Sequence, residues 1–156
     1  MRPGPRRAFS LVEIVLVLAI MAVLAAIAAP RYGASIANYR ALLAAHRLAS
    51  DVTLARSAAR AASASRSVVL DVSGGSYSIP GLAALDGRGS GYAVKLADAP
   101  YSAAIKSVVF TNPSATTTLT FDGFGVPDGG ATIVVGSGNW TRTVLVDAAS
   151  GAATVK

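Results

Sequence analysis

Residues Phe9 to Ala29, FSLVEIVLVLAIMAVLAAIAA, form a run of 21 in which only Ser10 and Glu13 are polar. That length matches the roughly 20 residues a helix needs to cross a bilayer, so whatever else the chain builds must hang from a membrane helix. Glu13 is the anomaly in it. A carboxylate in such a run costs on the order of 2.5 to 3.5 kcal/mol at the bilayer centre, so it calls for a partner or a function.

The residues ahead of the run, MRPGPRRA, carry Arg2, Arg6 and Arg7 and no acid. The positive-inside bias keeps this end in the cytoplasm and sends the remainder outward. A cut between Ala8 and Phe9 would place a new α-amine four residues before Glu13. A cation one helical turn away, on the same chain or on a neighbour, would neutralise the buried carboxylate. The competing reading is a secretory signal with Ala26-Ile27-Ala28 as its small-x-small cleavage site, releasing a secreted β domain. Glu13 inside the apolar region, the length of that region and Pro30 just beyond the cut all weigh against it.

The order of a short basic leader, a small residue, then Phe9, Ser10, Leu11, Val12 and Glu13 resembles the N-terminal signal of type IV pilins and type II secretion pseudopilins. Pro30 stands where helices of that superfamily commonly carry a proline. The resemblance implies that a prepilin peptidase cuts after Ala8 and methylates the amine of Phe9. It further implies that Glu13 pairs with the N-terminus of an adjacent subunit during filament assembly. The family usually has glycine before the cut, where this chain has Ala8.

Net charge is +6, but three of the 14 basic side chains lie in the leader, leaving 11 against 8 acids in the rest. The chain has no cysteine, so no disulfide closes an exported domain even though export permits one. Many major type IV pilins have such a disulfide, so its absence shifts the resemblance toward pseudopilins and minor pilins.

Beyond a kink expected at Pro30, Arg31 to about Ser65 is rich in Ala, Leu and Arg and reads as one helix continuing out of the membrane. Leu42, Ala45, Ala49, Val52, Ala55, Ala59 and Ala62 recur at spacings of three and four, the signature of one apolar stripe. Arg40, Arg47, Arg56 and Arg60 fall on the other side and read as a solvated face rather than a filament contact or anion site. From Ser67 the period changes to short β-branched or alternating runs: 67–72, 76–79, 92–96, 105–110, 117–121, 132–135, 141–147 and 153–155. Gly, Pro, Asn and Asp turn signals separate them.

The fold expected is therefore α+β and pilin-like: a long N-terminal helix, transmembrane then amphipathic, packed on an antiparallel β-sheet domain. Its parts are a leader over 1–8, a transmembrane helix over 9–29, a periplasmic continuation over 30–66 and a β domain over 67–156. Within the superfamily, Leu54 to Leu70, the turn Phe121-Asp122-Gly123-Phe124-Gly125 and the turn Asp147-Ala148-Ala149-Ser150-Gly151 resemble the GspH/FimT type of minor pseudopilin.

Catalysis finds no constellation. His46 is the sole histidine, no cysteine accompanies it, and no nucleophile-elbow spacing selects a serine, so the chain reads as a non-enzyme without cofactor. Asp122 and Asp128 flank a Gly-rich loop but lack the dense acid alternation of a calcium loop, so they read as turn formers and no metal is expected. Nucleic acid is the alternative partner, with Arg88, Arg142 and Trp140 as the contacts a filament-tip DNA-binding subunit would use. The expected partners are otherwise prepilin peptidase, other major and minor pilin-like subunits and the inner membrane. The subunit is expected to span that membrane once, with its C-terminal domain in the periplasm, and to support filament assembly and protein export.

Overall fold

The computed structural model describes residues 9–84 and 91–156. It divides into two units, Met1–Ile36 and Ala37–Lys156. A single helix, α1, spans Leu11–Ala62 and so belongs to both. Glu13 lies in its first turn and Arg60 in its last, each at the end where the helix dipole favours its charge. The helix continues through Pro30, although proline removes one backbone donor. It ends at Ser63, whose φ is +47°, and Ala64 N–H closes the last turn on Ala59 O at 3.2 Å.

Unit 2 contains eight strands: β1 (Arg66–Asp71), β2 (Ser76–Ile79), β3 (Tyr92–Lys95), β4 (Ala104–Phe110), β5 (Thr118–Phe121), β6 (Ala131–Ser137), β7 (Trp140–Val146) and β8 (Ala153–Val155). All eight runs expected from the sequence are strands, with β2 and β8 matched at both ends and the other ends shifted by no more than two residues. They form two antiparallel four-stranded sheets, ordered β3-β2-β1-β5 and β4-β6-β7-β8, where the sequence did not distinguish two sheets from one. The period of two is visible as burial: Tyr77 and Ile79 of β2, Leu119 and Phe121 of β5, Ile133 and Val135 of β6, and Val144 and Val146 of β7 point inward.

These inward residues and one face of α1 form a single core. The helix contributes Ala41, Ala44, Ala45, Leu48, Ala49, Val52, Ala55 and Ala59, all buried. Six of the eight are alanines, so Leu48 and Val52 supply most of the helix's buried volume. The stripe expected from spacing needs correcting at its ends. Leu42 is only half-buried and Ala62 is exposed, and the buried face is turned onto Ala41, Ala44 and Leu48.

The expected solvated arginine face also needs correcting. Arg40 and Arg60 are exposed, but Arg47 and Arg56 are half-buried and bonded across the domain. Arg47 Nε donates to Asp51 Oδ2 at 3.0 Å and its Nη2 donates to the Tyr92 hydroxyl at 2.7 Å. The Tyr77 hydroxyl donates to the same Asp51 oxygen. Asp51 is 4% exposed, so β2 meets the helix on one buried carboxylate, and β3 joins through the arginine paired with it. The physical reason is the spacing: an acid four residues after an arginine pairs along the helix, and turning the stripe onto Leu48 carries Asp51 inward. Burial, then the adjacent Asp51 charge, raises Tyr92 to about 12 and pushes Tyr77 up further, because both disfavour a phenolate there.

Two aspartate turns close the other end of the domain. Asp122 Oδ1 accepts from Phe124 N–H at 2.9 Å and Val126 N–H at 2.8 Å. Asp147 Oδ1 accepts from the Ser150 hydroxyl and its N–H at 2.7 Å each, which holds that carboxyl below its usual range. Asp128 Oδ1 likewise accepts from Thr120 N–H at 3.1 Å. Turn formation, as expected for Asp122 and Asp128, accounts for their positions. Each of the two turns ends in a glycine at positive φ, Gly125 at +77° and Gly151 at +68°. A Cβ on Gly151 would lie 2.9 Å from the ring of Phe121 and 3.2 Å from Pro127, neither of which can yield without moving the core.

Three outcomes follow for stability. Gly151→Ala should lower it by about 2 kcal/mol or more, combining left-handed strain with overpacking, as read by urea unfolding. Asp51→Ala should cost about 2 kcal/mol, because it leaves the buried Tyr77 hydroxyl and the half-buried Arg47 guanidinium without their acceptor, whereas Tyr77→Phe should cost about 1 kcal/mol. Raising the pH should ionise Tyr92 only near 12 and Tyr77 only with unfolding, so the stability from keeping these two neutral is complete below about pH 10, the unfolded value, and is lost as pH rises through their raised folded values. Unfolding followed by tyrosine absorbance between pH 9 and 13 checks this.

Candidate functional site

The first unit offers a surface and almost nothing to bury it. Every described side chain from Phe9 to Ala28 is exposed, and none of the most apolar window of α1 is covered by the rest of the chain. Phe9 is 76% exposed, Leu11 78% and Val12 73%, which is far too much contiguous hydrocarbon for water. By length and composition α1 is able to cross a membrane.

Glu13 sits on this surface in a specific setting. Phe9, Glu13 and Val17 are spaced by four, and with Ile14 and Leu18 they line one shallow groove. The helix begins just before it, with Ile14 N–H donating to Ser10 O at 3.2 Å. Glu13 is therefore in the turn whose free N–H groups and dipole favour an anion. No described cation of the chain bonds it, since the one salt bridge among the described residues is Arg47 with Asp51. In chemical terms this is a carboxylate in an apolar groove with no cationic partner among the described residues. Ala8, the other side of the expected cut, lies outside the described residues.

Of the residues considered for nucleic acid, Trp140 and Arg142 are described, both on β7. Arg142 is half-buried, and its Nη2 donates to Asn38 Oδ1 at 2.7 Å, tying β7 to the helix. Trp140, two residues earlier on β7, is 42% exposed. Arg88 falls outside the described residues. Asn38 escaped the sequence reading because a lone asparagine in a helix carries no spacing signal. The Asp51 cluster was partly legible, since Asp51 is the only acid between Arg31 and Arg66. His46 is exposed.

At the far end of the helix, Arg56 Nε donates to Gly125 O at 3.2 Å. Arg60 lies beside the same glycine and, with Ser63, Gly123 and Phe124, lines a shallow open groove. Phe124, at 84%, is the most exposed large apolar side chain among the described residues. The helix end, the Asp122 turn and the Asp147 turn thus meet around Arg56, Arg60 and the two glycines, the segments that carry the GspH/FimT resemblance.

The comparisons with known proteins agree with this division of the chain. The prokaryotic N-terminal methylation motif matches residues 4–29. The fold is similar to that of the type IV minor pilin FimU of Pseudomonas aeruginosa, with a TM-score of 0.52 at 18% identity over 74% of this chain and 91% of that one. It is similar also to the minor pseudopilin EpsH of the Vibrio cholerae type 2 secretion system, with a TM-score of 0.51 at 12% identity over 75% of this chain and 94% of that one. No curated protein sequence matches. The model of type II transport protein GspH matches residues 44–151, from the first buried turns of the helix through Gly151. With a methylation motif ahead of a GspH domain, the chain belongs to the GspH family of minor pilin and pseudopilin subunits.

Proposed function

We propose that this protein is a minor structural subunit of a type II secretion pseudopilus or a type IV pilus, made as a precursor and matured by prepilin peptidase. The observation that carries the reading is Glu13: one carboxylate in the first turn of an otherwise apolar, uncovered helix, within a methylation motif. In this reading the helix holds the subunit in the inner membrane with the β domain in the periplasm. Cleavage after Ala8 creates the amine of Phe9, which is then methylated. Glu13 docks onto the N-terminus of an adjacent subunit, because an unpaired carboxylate in lipid is costly. Pro30 bends the helix where it leaves the bilayer.

The work is assembly rather than chemistry, in keeping with a family of structural subunits. The β domain selects neighbouring subunits or cargo. The two similar folds come one from each kind of machine, so the fold itself favours neither.

Expressed with its own machinery, the mature protein should begin at Phe9 with one added methyl, as read by intact mass and N-terminal sequencing. A start after Ala28 would instead make it a secreted domain and remove the filament reading. Glu13→Ala should insert into membranes normally yet fail to enter filaments. Normal incorporation of that variant, measured in sheared filament fractions, would remove the assembly role of the carboxylate.

A further inference from the structure

The groove that holds Glu13 is apolar along its length and polar at one end. Phe9, Glu13, Ile14, Val17 and Leu18 line it. Val17, at 49%, is the least exposed of the large apolar side chains between Phe9 and Ile27 and forms its floor. Farther along the same unit, Ala19, Ile20, Val23 and Leu24 line a second groove, which has no polar side chain and offers a neighbour contact alone. Among residues 9–36 Glu13 is the only acid and Arg31 the only cation. Arg31 follows Glu13 by eighteen residues, about 27 Å of helix, and cannot neutralise it.

Bilayer thickness sets the level of the polar end. The uninterrupted apolar stretch from Ile14 to Ala29 has 16 residues, about 24 Å of helix, which is shorter than a hydrocarbon core of roughly 30 Å. Beyond its outer end come the exposed Arg31 and Tyr32, the latter at 72%, a cation and an aromatic ring of the kind that settles at the interface. With those two held there, the carboxylate lies within about one helical turn of the inner boundary of the hydrocarbon rather than at its centre. Headgroups of the inner leaflet are then within its reach. Ile14, Val17 and Leu18 run from that level into the hydrocarbon, beside the acyl chains.

We propose that this groove seats one aminophospholipid of the inner leaflet, with its primary ammonium on Glu13 and an acyl chain along Ile14, Val17 and Leu18. The proposal rests on the reading that residues 9–29 are inserted in the bilayer, and it deepens the role given there to Glu13. A primary ammonium carries three N–H donors, so it answers a carboxylate with charge and hydrogen bonds together. A choline headgroup brings the same charge without any N–H. The lipid amine is a provisional partner for the free subunit, screened and exchangeable, and assembly replaces it with the amine of a neighbour.

The full chain is reconstituted into vesicles of dioleoyl phosphatidylethanolamine and dioleoyl phosphatidylcholine in equal amounts, and insertion is read by flotation. Lipids that stay bound after transfer to detergent micelles are then counted by native mass spectrometry. Expected is retention of phosphatidylethanolamine about threefold over phosphatidylcholine, the size of one partly exposed ion pair. Glu13→Gln should float as the parent does and retain the two lipids alike. Val17→Phe, which fills the floor of the groove, should lower the retention of both. Protein that floats but retains the two lipids equally, as it would with a leader arginine already on the carboxylate, overturns the lipid site and leaves the inserted helix standing. A Glu13→Gln variant that keeps the parent's preference overturns the part given to the carboxylate. A Val17→Phe variant that keeps the parent's retention overturns the seat of the acyl chain. Protein that fails to float overturns both this proposal and the membrane reading beneath it.

Discussion

A carboxylate cannot rest ionised and alone in hydrocarbon, and the rest of this molecule is arranged around that constraint. Glu13 is one turn into a helix whose neighbouring side chains are all uncovered, so the first unit satisfies neither its apolar surface nor its charge. Lipid answers the apolar surface but leaves the charge expensive. On the proposed function, a filament of like helices would answer both at once, supplying apolar neighbours and an amine at the level of the carboxylate, and removal of the leader would be the step that frees that amine.

One helix serves two solvents, and its composition changes to suit each. Between Phe9 and Pro30 the side chains are apolar on every face apart from Ser10 and Glu13, as lipid requires. From Ala41 the buried face narrows to one stripe, mostly alanine, and the other face carries charge. Alanine keeps that stripe thin, and residues of the helix and of both sheets share one core with few aromatics. The cost is a core with modest buried volume per residue and no disulfide to support it. The turns around Gly125 and Gly151 therefore matter more than loops usually do, because they seat Phe121 and Arg56 where β5, β8 and the helix end converge.

What the sequence disclosed and what it withheld divide along physical lines. The membrane-length run, the position of Glu13 and all eight strands follow from local periodicity and turn residues, which one chain displays directly. The aspartate turns were legible for the same reason, since an Asx-type bond reaches only a few residues along the chain. The division into two sheets was not, because it depends on which strands pair across long separations. The rotation of the helix stripe was misjudged by about a residue, because alanine is as acceptable at the edge of a face as at its centre. Arg47 and Arg56 looked like solvent-facing charges for want of any view of Tyr92 and Gly125, which lie 45 and 69 residues away.

That ambiguity of alanine also explains why a buried charge is tolerated in so small a core. A stripe of methyl groups gains nearly the same contact area at several rotations and offsets of the helix against the sheets, so packing alone selects weakly among them. Asp51 selects strongly. Its carboxylate must accept from Tyr77 of β2 while holding Arg47, which in turn reaches Tyr92 of β3, and a small rotation breaks these bonds together. A leucine there would be as stabilising by area, since desolvating an ion pair offsets most of its attraction. It would, however, leave the helix free to settle at more than one rotation, and one fixed rotation of the helix against the sheets is what the buried cluster supplies.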